Sequence, residues 1–120
     1  KNGCQRSAIN SGEVIEWAIK RKFMIIYAED YTVEEQVSIF TSCKMLVGIH
    51  GAGMSNMVYM DSRSKVLEIM PSTGYNPAIE ELAHSCGHKY GYLVFKSLSS
   101  KQEMKIDLNL IDAALELYKM

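Results

Sequence analysis

Met45-Leu46-Val47-Gly48-Ile49-His50-Gly51-Ala52-Gly53-Met54-Ser55-Asn56-Met57-Val58-Tyr59-Met60 runs from an apolar segment through His-Gly-Ala-Gly into an amphipathic one without a break. The order reads as strand, tight turn, helix. Glycines at such a junction let backbone N–H groups approach a ligand closely, and a helix start adds partial positive charge. A phosphate or another oxyanion suits that chemistry. The plain alternative is that the glycines only make a tight turn. Gly48, Gly51 and Gly53 fall as G-x-x-G-x-G, not as the G-x-G-x-x-G of a dinucleotide site, and no Gly-Lys-Ser/Thr follows. A standard dinucleotide or P-loop site is therefore not supported, and any phosphate site is of another kind.

Upstream, Thr32-Val33-Glu34-Glu35 has the capping-box pattern. It predicts a helix to about Cys43 with Val33, Val37 and Phe40 on its core face. Phe23-Met24-Ile25-Ile26-Tyr27 reads as a buried strand. Asn10 to Glu13 has capping-box spacing with Asn in the usual Ser/Thr place. It predicts a helix over about 13–22, with Val14, Trp17 and Ala18 facing the core.

Downstream, a short helix is expected over about 54–60, then a polar turn at 61–64. A strand over 65–70 stops at Pro71. After a loop, Pro77 suits the first position of a helix capped by Asn76 and running to about Ser85. Residues 90–95 read as a strand with Gly91 as its weak point. Residues 96–105 read as polar and loose. Asn109 is expected to cap a last helix with Leu110, Ala114, Leu117 and Tyr118 on its apolar face.

Apolar strands alternating with amphipathic helices predict an α/β fold, a doubly wound parallel sheet covered on both faces. The chain is expected to form a single Rossmann-like domain over 1–120. It opens on a helix and does not begin with Met, so upstream sequence, with a strand ahead of Lys1, is expected. Ligands of such sheets bind beyond the carboxyl ends of the strands. The residues placed there are Arg6, Glu29, Asp30, residues 50–53 and residues 72–75.

Composition narrows the function. A formal net charge of −1 in 120 residues gives no general nucleic-acid surface. No apolar run approaches the ~20 residues that span a bilayer, and no signal peptide is visible. Three cysteines, Cys4, Cys43 and Cys86, give no disulfide framework. Cys43 reads as a small core residue. His84-x-Cys86-x-His88 reads either as a metal cluster or, with Gly87, as a helix ending in a glycine cap.

His50-Gly51-Ala52-Gly53, then Met54-Ser55-Asn56, then Val66-Leu67-Glu68-Ile69, resembles the family 61 glycosyltransferases. These include eukaryotic O-linked N-acetylglucosamine and xylose transferases and many microbial polysaccharide-synthesis proteins. Arg6, Asn10, Glu13 and Val14 are similar to the family's R-x-I-x-N-x-x-E-V segment, with Ile9 displaced by one place. Glu35-Gln36 followed by Phe40 is similar to its helix leading into the H-G-A-G strand. The resemblance covers about residues 6–70. It implies a GT-B fold, two Rossmann-like domains facing a cleft, with this chain as most of the C-terminal, donor-binding half. It implies an inverting, metal-independent enzyme, and no D-x-D motif occurs here. No cofactor is implied; the donor is a nucleotide sugar, a UDP-sugar by expectation, and the acceptor a glycan or glycoprotein. The first domain would carry the acceptor contacts and the catalytic base, so the fragment alone would be inactive. The compartment would be cytoplasmic in a microbe and the ER or Golgi lumen in a eukaryote.

Under that resemblance the donor and phosphate residues are Arg6, His50, Gly51, Ala52, Gly53, Ser55 and Asn56. His50 bonds the diphosphate, or else its ring pins the turn. Arg6 grips two phosphate oxygens, or is an ordinary solvated side chain. Ser55 and Asn56 reach phosphate or ribose, or cap the helix. Glu68 lies in an apolar strand and needs a partner. That partner is the backbone of the H-G-A-G loop or a ribose hydroxyl. Glu29 and Asp30 line a base pocket, or form a solvated loop. Two other functions compete. An esterase would use the Gly-rich loop as an oxyanion hole, but the G-x-S-x-G elbow is missing. A non-catalytic Rossmann-like module would bind a nucleotide or a protein partner.

Overall fold

The computed structural model describes residues 7, 8, 10–73, 76–98 and 103–118. Along the chain come β1 (Ser7–Ala8), α1 (Ser11–Lys20), a 3-10 turn at Ala28–Asp30, α2 (Val33–Thr41) and β2 (Met45–Ile49). A 3-10 helix at Ala52–Tyr59, β3 (Lys65–Pro71), α3 (Ala78–Cys86), β4 (Lys89–Phe95), β5 (Glu103–Met104) and α4 (Leu108–Leu117) follow. The fold is α/β and compatible with a Rossmann-like domain. Its sheet is parallel, in the order β2-β3-β4, and β1 pairs separately with β5, also in parallel.

The central strand explains the layering. Side chains alternate along a strand, so Val66 and Leu67 point to opposite faces. Leu67 and Ile69 join Trp17 and Ala18 of α1 and Ile111 of α4 in one cluster. Val66 joins Phe40 of α2, Met54, Met57 and Met60 of the 3-10 helix, and Ile79 and Ala83 of α3 in the other. β3 is apolar on both faces because both are covered.

Thr32 and Glu35 form the expected capping box: Glu35 N–H donates to Thr32 Oγ1 at 3.1 Å and Thr32 N–H to Glu35 Oε1 at 2.8 Å. α3 ends as expected in Gly87, whose φ of 77° is left-handed. Burial of Trp17 and Ala18 confirms the face of α1.

Several expectations are corrected. Residues 23–27 take no regular secondary structure and join no ladder among the described residues. Met24 is 70% exposed, Phe23 and Ile26 are half-buried, and Phe23 stacks on Trp17 at 5.4 Å. An apolar run becomes a strand only where a neighbouring edge offers hydrogen-bond partners. Asn10 makes no side-chain cap. Its amide instead clamps the chain before α4, donating to Ile106 O and accepting from Ile106 N–H, both at 2.9 Å. Residues 96–105 are not uniformly loose, since Met104 in β5 is fully buried. β3 does end at Pro71, and the proline is its last paired residue, opposite Phe95. Pro77 sits just ahead of α3 rather than in its first turn, and Asn76 Oδ1 accepts from Ala78 N–H at 2.9 Å.

α4 is capped by Asp107, which accepts from Asn109 N–H and Leu110 N–H, not by Asn109. Ile111, Ala114, Leu115 and Tyr118 face the core, so Ala114 and Tyr118 lie as expected, while Leu110 and Leu117 are exposed. Val33, the first residue of α2, also lies outside its core face and is exposed. Gly91 has a packing reason rather than being a weak point. A Cβ there would lie 2.7 Å from the Tyr118 hydroxyl, which donates to Val66 O at 2.6 Å.

Candidate functional site

β2 ends at Ile49, yet its ladder runs one residue further: His50 N–H donates to Ile69 O at 2.8 Å. That bond fixes the His50 backbone against β3. Gly48 lies opposite Glu68 in the register. His50, two residues on, shares Gly48's face and reaches Glu68 across the strands. His50 Nδ1 bonds Glu68 Oε2, and Tyr90 of β4 donates its hydroxyl to Glu68 Oε1 at 2.5 Å. Glu68 is fully buried (0% exposed) and His50 is 8% exposed. An ionised carboxylate only accepts, so the network assigns the hydrogen to Nδ1. Nε2 has no hydrogen-bond partner among the described residues.

Glu68 therefore does something neither expectation named. Its oxygens are held by the His50 and Tyr90 side chains, so it supports the loop through the His50 ring and not through the loop backbone. Sequence reading missed Tyr90. The signal was the need of a lone acid in an apolar strand for partners; the register that supplies Tyr90 is not written locally.

The glycines separate. Gly51 has a φ of 168°, an extended conformation open to any residue. A Cβ at Gly53 would meet nothing within 4 Å, and one at Gly48 would touch the Met54 side chain at 3.5 Å. Among the described glycines only Gly87 lies in the left-handed region. The tight turn thus does not require glycine at 51 or 53. What their lack of side chains leaves is open backbone beside His50.

The segment after the motif starts at Ala52 and is a 3-10 helix rather than the helix expected over 54–60. Its sequence carries the reason. Three residues per turn stack positions three apart, and Met54, Met57 and Met60 are the residues buried there. Ser55 is exposed on the other side. Asn56 turns away from any cap: its Nδ2 donates to Gln36 Oε1 at 2.9 Å. Gln36 Nε2 in turn donates to Ala28 O at 2.9 Å and Tyr31 O at 3.1 Å. This chain of amides ties the His50 turn, α2 and the exposed turn bearing Glu29 and Asp30 into one unit. Gln36 was legible only as part of a family pattern; its bracing role was not. Beyond β3 and β4, Ser97 N–H donates to Ser72 Oγ at 3.0 Å, joining the two following loops. Arg6, with Gly74 and Tyr75, lies outside the described residues.

Other candidates fall away. His88 Nε2 bonds Met57 O at 2.9 Å, and His84 sits 3.7 Å from Glu80 on the outer face of α3. Among the described residues no group of three or more His, Cys, Asp or Glu is placed to hold a metal ion. Burial pushes the Cys43 thiol up, partly offset by its bond to Met45 O, so it is a packed thiol rather than a nucleophile. Asn10 and Glu13 line an open hollow of about 550 Å³ with residues 105–109, but the Asn10 amide is already spent on Ile106. No helix among the described residues is long and apolar enough to cross a membrane.

A family model described as Glycosyltransferase 61 matches residues 1–67. The match is more than half of the chain and takes in the whole His50 turn; it ends one residue before Glu68. No curated protein matches the chain.

Proposed function

The chain belongs to glycosyltransferase family 61, so the protein it comes from is an enzyme, and from that premise we propose that this segment binds the nucleotide-sugar donor. The proposed parent is an inverting, metal-independent enzyme of GT-B architecture, and the proposed donor is a UDP-sugar. The observation that carries the reading is His50 fixed at the carboxyl end of β2. Its Nε2 has no partner there among the described residues, and it stands beside glycines that neither backbone conformation nor packing demands. Open strand ends of parallel sheets are where such folds take ligands.

In the proposed reaction an acceptor hydroxyl attacks the anomeric carbon. The new C–O bond forms as the bond to the diphosphate breaks, and the electron pair leaves with the diphosphate. A base in a second domain takes the acceptor proton. This chain's share is to stabilise the leaving diphosphate through His50, the N–H groups of residues 51–53 and Arg6. Ser55 reaches the same ligand from the exposed side of the 3-10 helix. Asn56 and Glu68 act behind it. The chain alone transfers no sugar in this reading.

Calorimetry with UDP and uridine tests the site. Wild type should bind UDP more tightly than uridine. His50→Ala should weaken UDP by about 1–3 kcal/mol, the range of charge-assisted contacts, and leave uridine unchanged. Equal losses for both would make His50 a residue of the turn alone. Failure of the full-length parent to transfer sugar from any common nucleotide donor would defeat the activity proposed.

A further inference from the structure

Glu68 is the exception in its strand. Val66, Leu67, Ile69 and Met70 around it are apolar and buried, and Glu68 is as buried as they are. Replacing a buried ionic group by a well-packed apolar one is often neutral or stabilising, so packing alone does not account for an acid here. What the acid does is specific. One oxygen holds His50 Nδ1 and the other holds the Tyr90 hydroxyl, so the carboxylate is braced from β4 and acts on the residue after β2.

That arrangement restricts the ring. With Nδ1–H committed to Glu68, a neutral imidazole has a bare lone pair at Nε2 and can only accept there. A phosphate oxygen also only accepts. The two repel unless the ring carries a second proton. We propose that Glu68, braced by Tyr90, is a positioning residue that lets His50 meet the donor diphosphate only as an imidazolium. Donor binding then takes up a proton at Nε2 from solvent. The imidazolium lies between two anions, Glu68 on its inner side and the diphosphate on its outer side, and presents a N–H to the leaving oxygen. This inference rests on the proposed diphosphate site.

The titratable groups on the elements packed against the His50 turn do not offer a simpler source for that proton. Glu68 and Tyr90 are bonded to each other. His84 of α3 stands behind Tyr90 with ring centroids 5.9 Å apart. Glu35 of α2 closes its own capping box, and Glu34 and Tyr59 are exposed.

The test is calorimetry of UDP and of uridine in buffers of different ionisation enthalpy. It is run at a pH where UDP is fully ionised and the His50 ring, followed by its own ¹⁵N resonances, is neutral in the free chain. Wild type should take up about one proton per UDP and none per uridine, the stoichiometry of a single imidazole. His50→Ala should abolish the uptake, whereas a proton taken by the phosphate itself would persist. Glu68→Gln offers an amide that can donate to Nδ1, which frees the tautomer with hydrogen on Nε2. It should bind UDP with much less proton uptake and about tenfold more weakly, uridine unchanged. Tyr90→Phe keeps the carboxylate and loosens it, and should lower UDP affinity several-fold without touching uridine. UDP binding by wild type without proton uptake overturns the inference and leaves the proposed site standing. So does undiminished uptake in Glu68→Gln, or an unchanged ratio of UDP to uridine affinity in Tyr90→Phe. A wild-type chain that binds no UDP defeats the site itself, and the inference with it.

Discussion

Gly91→Ala adds one methyl group to the middle of β4, and its effect depends on an atom 27 residues away. The new carbon would lie 2.7 Å from the Tyr118 hydroxyl oxygen, closer than the 3.0 Å below which something must shift. That oxygen is not free to swing aside, because it donates to Val66 O at 2.6 Å. Losing the bond costs about 1 kcal/mol, and crowding in a filled site adds about 1–2 kcal/mol. Replacing glycine within a strand recovers about 0.5–1 kcal/mol of chain entropy. The net expectation is a loss of about 1–2.5 kcal/mol. Tyr118→Phe alone should cost about 1 kcal/mol for the missing bond. In the Tyr118→Phe background the nearest atom left is the ring carbon at 3.5 Å, an ordinary contact. There Gly91→Ala should be neutral or stabilising by about 0.5–1 kcal/mol. Urea denaturation of the four proteins completes the cycle. The two changes should couple by more than 1 kcal/mol, whereas additivity within about 0.5 kcal/mol would refute the steric account.

Other expectations follow from the same contacts. Gly53→Val should leave stability within about 0.5 kcal/mol of wild type, since a Cβ there meets nothing. UDP affinity should fall by an order of magnitude or so in calorimetry as the side chain fills the backbone's approach; an unchanged affinity would move the ligand elsewhere. Gln36→Leu breaks the bonds to Ala28 O, Tyr31 O and Asn56. Hydrogen exchange should show faster opening of residues 28–31, with a stability loss of about 1–2 kcal/mol. Burial pushes the Tyr118 phenol up. The folded chain therefore keeps that proton after the unfolded chain, with its ordinary value near ~10, has released it. Stability from this residue is full below that value and is lost as pH rises through the folded one. Denaturation midpoints measured across the alkaline range should fall, and Tyr118→Phe should flatten that part of the slope.

The parallel layering was legible because β3, Glu68 apart, is apolar on both faces, which only a doubly covered strand tolerates. The capping box at Thr32 and the stop at Gly87 were legible because each is local chemistry of a few residues. Residues 23–27 misled for the opposite reason: composition states a preference for extended structure, but pairing depends on an edge elsewhere. Asn10 misled because a cap and a long-range clamp use the same side-chain amide, and Ile106 is remote in sequence. At the site, His50 and the open glycines could be singled out from the motif. Tyr90 and the Asn56–Gln36 brace could not, since both arise from register and from packing between elements. The stacked methionines at 54, 57 and 60 did carry the 3-10 period in plain view.

Glu68 binds partners 18 residues before it and 22 residues after it, on all three segments of the sheet. The His50 geometry accordingly exists only when β2, β3 and β4 are all in register, and no local fraying mode can keep it while releasing one strand. Recognition and global cooperativity become a single equilibrium. A molecule that requires this geometry binds the native state and not the denatured one, and raises the unfolding free energy by RT ln(1 + [L]/Kd). A ligand at about one hundred times its dissociation constant would add about 2.7 kcal/mol to the slowest-exchanging amides of the sheet, far from any atom it touches.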